Sequence, residues 1–240
     1  MGNIENIIRY APKKMQPMLK SVAYYNSGFS SSDLGNILFA MSVIDRKFFV
    51  GIPGAEYDDN ALPIGSGQTI SQPSTVARML LLSELRESDE VLDIGAGSGW
   101  NAALIAFLVY PGKVVSVDRI FNLIEKAEKN ISKLRNYLKQ KRPQDIQKLE
   151  KINFLAEDIF SKGRAWKKRY DKIIITAGIS DKRIEEKIKS LAENLLKKHG
   201  ILICPNVTGP LIIYRKNKFL NRQETSEEYV FVPLLEGTER

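Results

Sequence analysis

Val91-Leu92-Asp93-Ile94-Gly95-Ala96-Gly97-Ser98-Gly99-Trp100 runs from a short apolar strand into a turn with glycine at every second position. Residues 101–110 then read as an apolar helix. Glycine tolerates a left-handed backbone and leaves room for a ligand to approach the chain. Outward from this turn, strands and helices alternate. After Pro111-Gly112, Lys113–Asp118 is a second strand, residues 122–140 an amphipathic helix, and Ile152–Ala156 a third strand. Residues 172–176 make a fourth strand and residues 184–197 a helix, whose Lys197-Lys198-His199-Gly200 ending suits a C-cap. Residues 201–204, 211–215 and 228–234 supply late strands, with a tight turn at Arg215-Lys216-Asn217-Lys218. The pattern predicts an α/β, Rossmann-like, doubly wound and mostly parallel sheet with an antiparallel C-terminal addition.

Upstream the signals are sparser. Pro12 and Pro17 interrupt any long helix, so residues 1–32 read as an N-terminal extension. Ser32 is placed as the cap of a helix over 33–41, followed by a Gly/Pro/Asp/Asn-rich connection over 51–67. Ser74 or Thr75 leads into an apolar helix over 76–85. One domain over 33–240, with a helical cover at 33–88, is the expected organisation.

The 240 residues carry 43% hydrophobic and 27% charged side chains, an ordinary globular composition. No apolar run nears the ~18–20 residues of a membrane span, and no secretory signal is evident. Cys204 is the single cysteine, which makes a reducing cytoplasm the expectation and an apolar packing role the natural one. His199 has no second histidine with which to share a metal, so no metal site is predicted. The net charge of +8 is partly explained by Lys126, Lys129, Lys133 and Arg135, which recur at helical spacing beside Ile124, Ala127, Ile131, Leu134 and Leu138. This is the pattern of a solvated helix face, so neither nucleic acid nor membrane is an expected partner, and a monomer or weak oligomer is expected.

The glycine turn fits some ligands and excludes others. A dinucleotide fingerprint needs its third glycine where Trp100 stands, and a phosphate-gripping loop needs a lysine that is missing. Acids recur at three successive strand ends: Asp93, Asp118 and Glu157-Asp158. Ligands of open α/β sheets bind there. The combination resembles the S-adenosylmethionine loop of class I methyltransferases. The resemblance implies that Asp93 meets the ligand's ammonium group, Asp118 its ribose hydroxyls and Asp158 its adenine. Gly95, Ala96, Gly97, Ser98, Gly99, Arg119, Ile159 and Thr176 complete the cofactor set it implies.

A second stretch is more specific. Ala61-Leu62-Pro63-Ile64-Gly65-Ser66-Gly67-Gln68-Thr69-Ile70-Ser71-Gln72-Pro73 resembles the signature of the protein-L-isoaspartate (D-aspartate) O-methyltransferase family. Tyr170-Asp171-Lys172-Ile173-Ile174-Ile175-Thr176-Ala177 and Phe231-Val232-Pro233-Leu234 are similar to its fourth and closing strands. Membership implies methyl transfer to the carboxylate of L-isoaspartyl or D-aspartyl residues of damaged proteins, with collapse to a succinimide and repair. Ser71 would then orient the substrate carboxylate, although Pro73 also makes it a natural helix cap. Thr69 and Ile70 would close over the methyl donor, while Gln72, Ala177, Ile179 and Val207 would line the peptide site. The sequence departs from the family at Ser66, at Gly178-Ile179-Ser180 and in the short Asn206-Val207-Thr208-Gly209 loop. Those departures leave room for a dedicated peptide substrate. An RNA methyltransferase would need an Asn/Asp-Pro-Pro-aromatic motif where Thr176-Ala177-Gly178 stands, or paired catalytic cysteines. A binding protein that keeps S-adenosylmethionine and uses its basic face is the non-enzymatic alternative.

Overall fold

The computed structural model describes residues 3–239. Three helices open the chain: α1 (Ile4–Tyr10), α2 (Gln16–Tyr25) and α3 (Ser31–Val43). A hairpin of β1 (Leu62–Gly65) and β2 (Gln68–Ile70) follows, then α4 (Pro73–Leu82). The alternating region comprises β3 (Glu90–Ile94), α5 (Trp100–Val109), β4 (Lys113–Asp118), α6 (Phe121–Lys141), α7 (Ile146–Leu149) and β5 (Ile152–Ala156). It continues through β6 (Tyr170–Ile175), α8 (Lys182–Leu195) and β7 (Leu196–Pro205). The chain closes with β8 (Thr208–Gly209), β9 (Leu211–Lys216), β10 (Leu220–Glu224) and β11 (Tyr229–Val230).

Seven strands form the central sheet in the order β10-β9-β7-β6-β3-β4-β5. The five from β7 to β5 are parallel, and β9 and β10 add antiparallel at one edge. This is the predicted sheet. The chain steps outward from β3 through β4 to β5, then returns to lay β6 on the other side of β3. The order therefore reverses at β3 and β6, where open α/β sheets bind ligands beyond their carboxyl ends.

Strand alternation divides the core into two. Val91, Val114, Ile174, Ile201 and Ile203 face the layer of α5, α6 and the N-terminal helices. Leu92, Val115, Val117, Ile173, Ile175, Leu202 and Cys204 face α8. Helix α5 is apolar nearly all round and is buried accordingly, whereas α8 buries only the stripe of Ile184, Ile188, Leu191, Ala192 and Leu195. Cys204 is fully buried, and that burial pushes its thiol well up.

Four expectations need correction. Residues 3–32 are not an appendage: Met15, Met18, Leu19 and Val22 lie in the same core as α4 and α5, so the division at 32/33 separates no packing unit, while residues 1 and 2 of the expected extension lie outside the described residues. The first two helices do break at the prolines, with Pro17 in the opening turn of α2. Helix α3 begins two residues earlier than expected, and the Ser30 hydroxyl, not that of Ser32, accepts from the Asp33 amide at 3.1 Å. The connection over 51–67 contains the β1–β2 hairpin, whose Gly65, Ser66 and Gly67 all have positive φ. Helix α8 stops at Leu195, so Lys197-Lys198-His199-Gly200 belongs to a bulged start of β7, not to a C-cap. His199 there has φ of 66°. Among the described residues no helix is long and apolar enough to cross a membrane.

Because α2 shares the main core, Leu19→Ala should cost about 2–5 kcal/mol of global stability. Denaturant unfolding followed by far-UV dichroism and tryptophan fluorescence checks this: both probes should shift together. An unchanged midpoint would show that α2 is a detachable extension.

Candidate functional site

The turn from β3 into α5 is built from left-handed glycines, with φ of 98° at Gly95, 51° at Gly97 and 88° at Gly99. A side chain at Gly95 would meet Thr176 Oγ1 at 2.4 Å, and one at Gly99 would meet Ala127 at 3.0 Å. Thr176 lies just beyond β6 and donates its hydroxyl to the Gly95 carbonyl at 2.9 Å, which seals the two strand ends together. Ser98 and Ala96 are buried, and the Ser98 carbonyl accepts from Asn130 of α6 at 3.0 Å. Lys126 of α6 donates to the Ile64 carbonyl at 2.6 Å, pinning the hairpin over the turn. That lysine is withdrawn from the basic face, while Lys129 and Arg135 remain on it in ion pairs with Glu125 and Glu150.

Asp93 sits beneath the turn rather than in the cleft. Alternation along β3 directs it to the α5 face, where its oxygens accept from Asn101 Nδ2 and Ser116 Oγ, both at 2.7 Å. It is fully buried, and desolvation raises its pKa to about 6 against the pull of those two donors. It therefore supports the loop from below, and the expected ammonium contact is not what its placement provides.

Asp118 ends β4 at the lip of the cleft. Its oxygens accept from the amides of Gly97 at 2.9 Å and Ile120 at 3.0 Å, and burial raises its pKa. An ionised carboxylate offers about four acceptor positions, so two remain for hydroxyl donors. Around it stand Gln68, Gly95, Ile159 and Ala177, with Asp158 and Leu234 opposite. Glycines a side chain would obstruct, an acceptor pair at the ribose position and an apolar flank together fit S-adenosylmethionine.

The cleft is narrow, about 60 Å³, against ~300–1,000 Å³ for small-molecule pockets. The C-terminal tail narrows it. The Gly237 amide donates to Asp158 Oδ2 at 2.9 Å, and Arg119 donates to the Gly237 carbonyl and to Glu239, both at 2.8 Å. Glu236 is held in turn by Arg183 and Lys187 of α8. Arg119 and Asp158 are thus at the cleft as expected, but the tail engages both.

A second cleft, of about 590 Å³, lies on the other side of the hairpin. Thr69, Ser71, Gln72 and Thr176 line one part of it, and Thr208, Glu228, Tyr229 and the apolar Val230–Val232 stretch line another. Ser71 caps nothing: Gln72 is the N-cap residue of α4, and the Ser71 hydroxyl makes no hydrogen bond to any described residue. The two clefts share a thin partition. Gln68 and Ala177 face the first, and their chain neighbours Thr69 and Thr176 face the second.

Other expected residues fall elsewhere. Ile70 points into the core, Ile179 is buried among the residues facing α8, and Val207 links the Ile179 carbonyl to the Phe231 amide as main chain. None of the three lines either cleft. The reading also missed Glu228 and Tyr229, which no motif marks, and Gln68, which lay inside the quoted signature.

Comparison with known proteins follows this geometry. The family model described as protein-L-isoaspartate (D-aspartate) O-methyltransferase matches residues 22–239. A protein-L-isoaspartate O-methyltransferase of Ignicoccus hospitalis is 37% identical over 210 residues, covering 82% of this chain and 87% of its own. The Yersinia enterocolitica protein of the same name is 34% identical over 231 residues, covering 94% and 97%. Among solved structures, a Plasmodium falciparum protein described as a protein-L-isoaspartate O-methyltransferase, in complex with S-adenosyl-L-homocysteine, superposes with a TM-score of 0.71 at 20% identity. It covers 98% of this chain and 99% of its own. At that identity the likeness speaks for the fold.

Gly95→Ala combines a strained φ with the Thr176 clash, and should weaken S-adenosylhomocysteine binding about tenfold or more while the protein stays folded. Calorimetric titration checks this; wild-type affinity in the variant would remove the turn from the cofactor site. With the family model matching over 22–239 and relatives above 30% identity across most of the chain, this protein belongs to the protein-L-isoaspartate (D-aspartate) O-methyltransferase family.

Proposed function

We propose that the cleft holding Ser71 receives an isoaspartyl side chain of a damaged protein and that its carboxylate is methylated where the two clefts meet, beside Thr69 and Thr176. The observation carrying this is the shared wall: consecutive residues of β2, and of the chain after β6, face a cofactor cleft on one side and a hydroxyl-lined cleft on the other. The family supplies the reaction type, and its members act on damaged protein substrates bearing isoaspartyl residues.

When bound, S-adenosylmethionine supplies an electrophilic methyl group. The chain's own work is positional. A carboxylate is ionised at neutral pH and needs no base to become a nucleophile. The Ser71 hydroxyl, unspent on the protein, is free to donate to one carboxylate oxygen and direct the other toward the partition. Thr69 and Thr208 offer further neutral hydroxyls in the same cleft, whose one charged lining residue is the acid Glu228. Gly95, Asp118, Ile159 and Ala177 would hold the cofactor on the opposite side. Holding the two reactants in contact at the junction of the clefts turns a bimolecular displacement into an effectively unimolecular step. Ester formation then leaves an activated carbonyl; the neighbouring peptide nitrogen attacks it, loses its proton and expels methanol to give a succinimide.

Ser71→Ala tests the assignment. Turnover on an isoaspartyl peptide should fall by about tenfold to a hundredfold, since one orienting contact is lost, while S-adenosylhomocysteine affinity stays at the wild-type value. Steady-state kinetics with a labelled methyl donor and calorimetry give the two numbers. Equal loss of turnover and affinity would place Ser71 with the cofactor instead.

A further inference from the structure

Behind the acceptor cleft lies a charge that neither cleft uses. Arg46 follows α3 in a short helical turn and is completely buried. Burying a guanidinium is costly unless it is well satisfied, and here burial lowers its pKa to about 10, partly opposed by Asp59 and Asp58. It remains a cation at neutral pH. Its hydrogen bonds go to main-chain carbonyls. Nη1 donates to Glu56 and Asp58, both at 3.1 Å, and Nη2 donates to Asn60 at 2.9 Å and Ser71 at 3.3 Å. Nε has no partner among the described residues.

Those four acceptors come from two places. Residues 51–61 form turns and bends without a ladder, so the carbonyls of Glu56, Asp58 and Asn60 need donors from elsewhere. Ser71 lies beyond the hairpin, at the start of α4, with its hydroxyl free on the cleft side. A single planar fork therefore ties the irregular segment to the back of Ser71. Asp59 secures the same segment from outside, accepting from Ser21 Oγ of α2 at 2.5 Å and from the Ser74 amide at 2.8 Å. The guanidinium also stacks over Trp100, 5.4 Å from the ring centre, and Trp100 is the first residue after the glycine turn. Its indole donates to the Ile44 carbonyl at 3.0 Å.

We propose that Arg46 is a positioning residue for methyl transfer: by gripping the carbonyls of Glu56, Asp58, Asn60 and Ser71 while resting on Trp100, it sets the Ser71 hydroxyl and the Ala61 edge of the acceptor cleft against the glycine turn. This rests on the reading of that cleft as the acceptor site. Lysine keeps the charge but concentrates its donors on one nitrogen and cannot span four carbonyls.

The experiment is a double-mutant cycle of Arg46→Lys and Ser71→Ala in the full chain, joined to hydrogen exchange. Arg46→Lys should lower kcat/KM on an isoaspartyl peptide by about tenfold to a hundredfold, with S-adenosylhomocysteine affinity unchanged. In the Ser71→Ala background the same change should add little, because the effect travels through Ser71. Exchange protection should fall in 56–61 and 69–72 and hold in β3 and the glycine turn. Additive losses, cofactor affinity falling in step with turnover, or unchanged protection of 56–72 would each overturn the proposal. If Arg46→Lys fails to fold, Asp59→Asn loosens the same segment from its other anchor and should show the same non-additivity. If the wild-type protein does not methylate the peptide, the assigned function fails, and the exchange arm alone decides the positioning role.

Discussion

Five residues separate the end of β3 from the first turn of α5, and three of them are left-handed glycines. That geometry is imposed from both sides. The helix it enters is apolar almost all round and cannot shift toward solvent. Beneath it, the buried Asp93 carboxylate ties β3 to α5 through Asn101 and to β4 through Ser116. Breaking that arrangement would leave a desolvated carboxylate with unmatched partners, an expensive state. The turn is therefore rigid, and a rigid turn fixes where Gly95, Asp118 and Thr176 stand relative to one another. Each cleft takes its position from there.

The two clefts are organised differently. The cofactor side is formed by strand ends, whose positions the sheet dictates, and the tail from Leu234 to Glu239 closes over it through Asp158 and Arg119. The acceptor side depends on segments without ladders of their own. The hairpin is pinned by Lys126, and the 56–60 segment is held by Arg46 and Asp59. Helix α2 contributes to the second of these through Ser21, which gives the first thirty residues a part in shaping the acceptor side. Parallel sheets place strand ends well, but a peptide needs a wall that stands out from them, and such a wall must be anchored by side chains.

This division explains what the sequence made legible. The parallel sheet, its switch at β3 and the glycine turn follow from apolar runs, alternation and φ requirements that are local. The positions of Asp118 and Ser71 were legible because a strand end and a specific motif mark them. Asp93 was misplaced because its rank in the motif was read without the alternation that points it away from the cleft. Ile70, Ile179 and Val207 stand outside both cleft linings for a related reason, since proximity in sequence to the site says nothing of which face a side chain takes. The tail over the cofactor cleft and the Arg46 grip join residues far apart in the chain to main-chain carbonyls, which no side-chain pattern reports. Glu228 and Tyr229 reach the acceptor cleft only because β11 pairs with β8.

The most direct test of the account is methyl transfer from labelled S-adenosylmethionine to a pair of short peptides that differ only in carrying an isoaspartyl or a normal aspartyl residue. The account predicts base-labile label on the isoaspartyl peptide and none on its aspartyl twin. Label on neither peptide, from protein that still binds S-adenosylhomocysteine, would contradict the assignment of the Ser71 cleft to an isoaspartyl carboxylate.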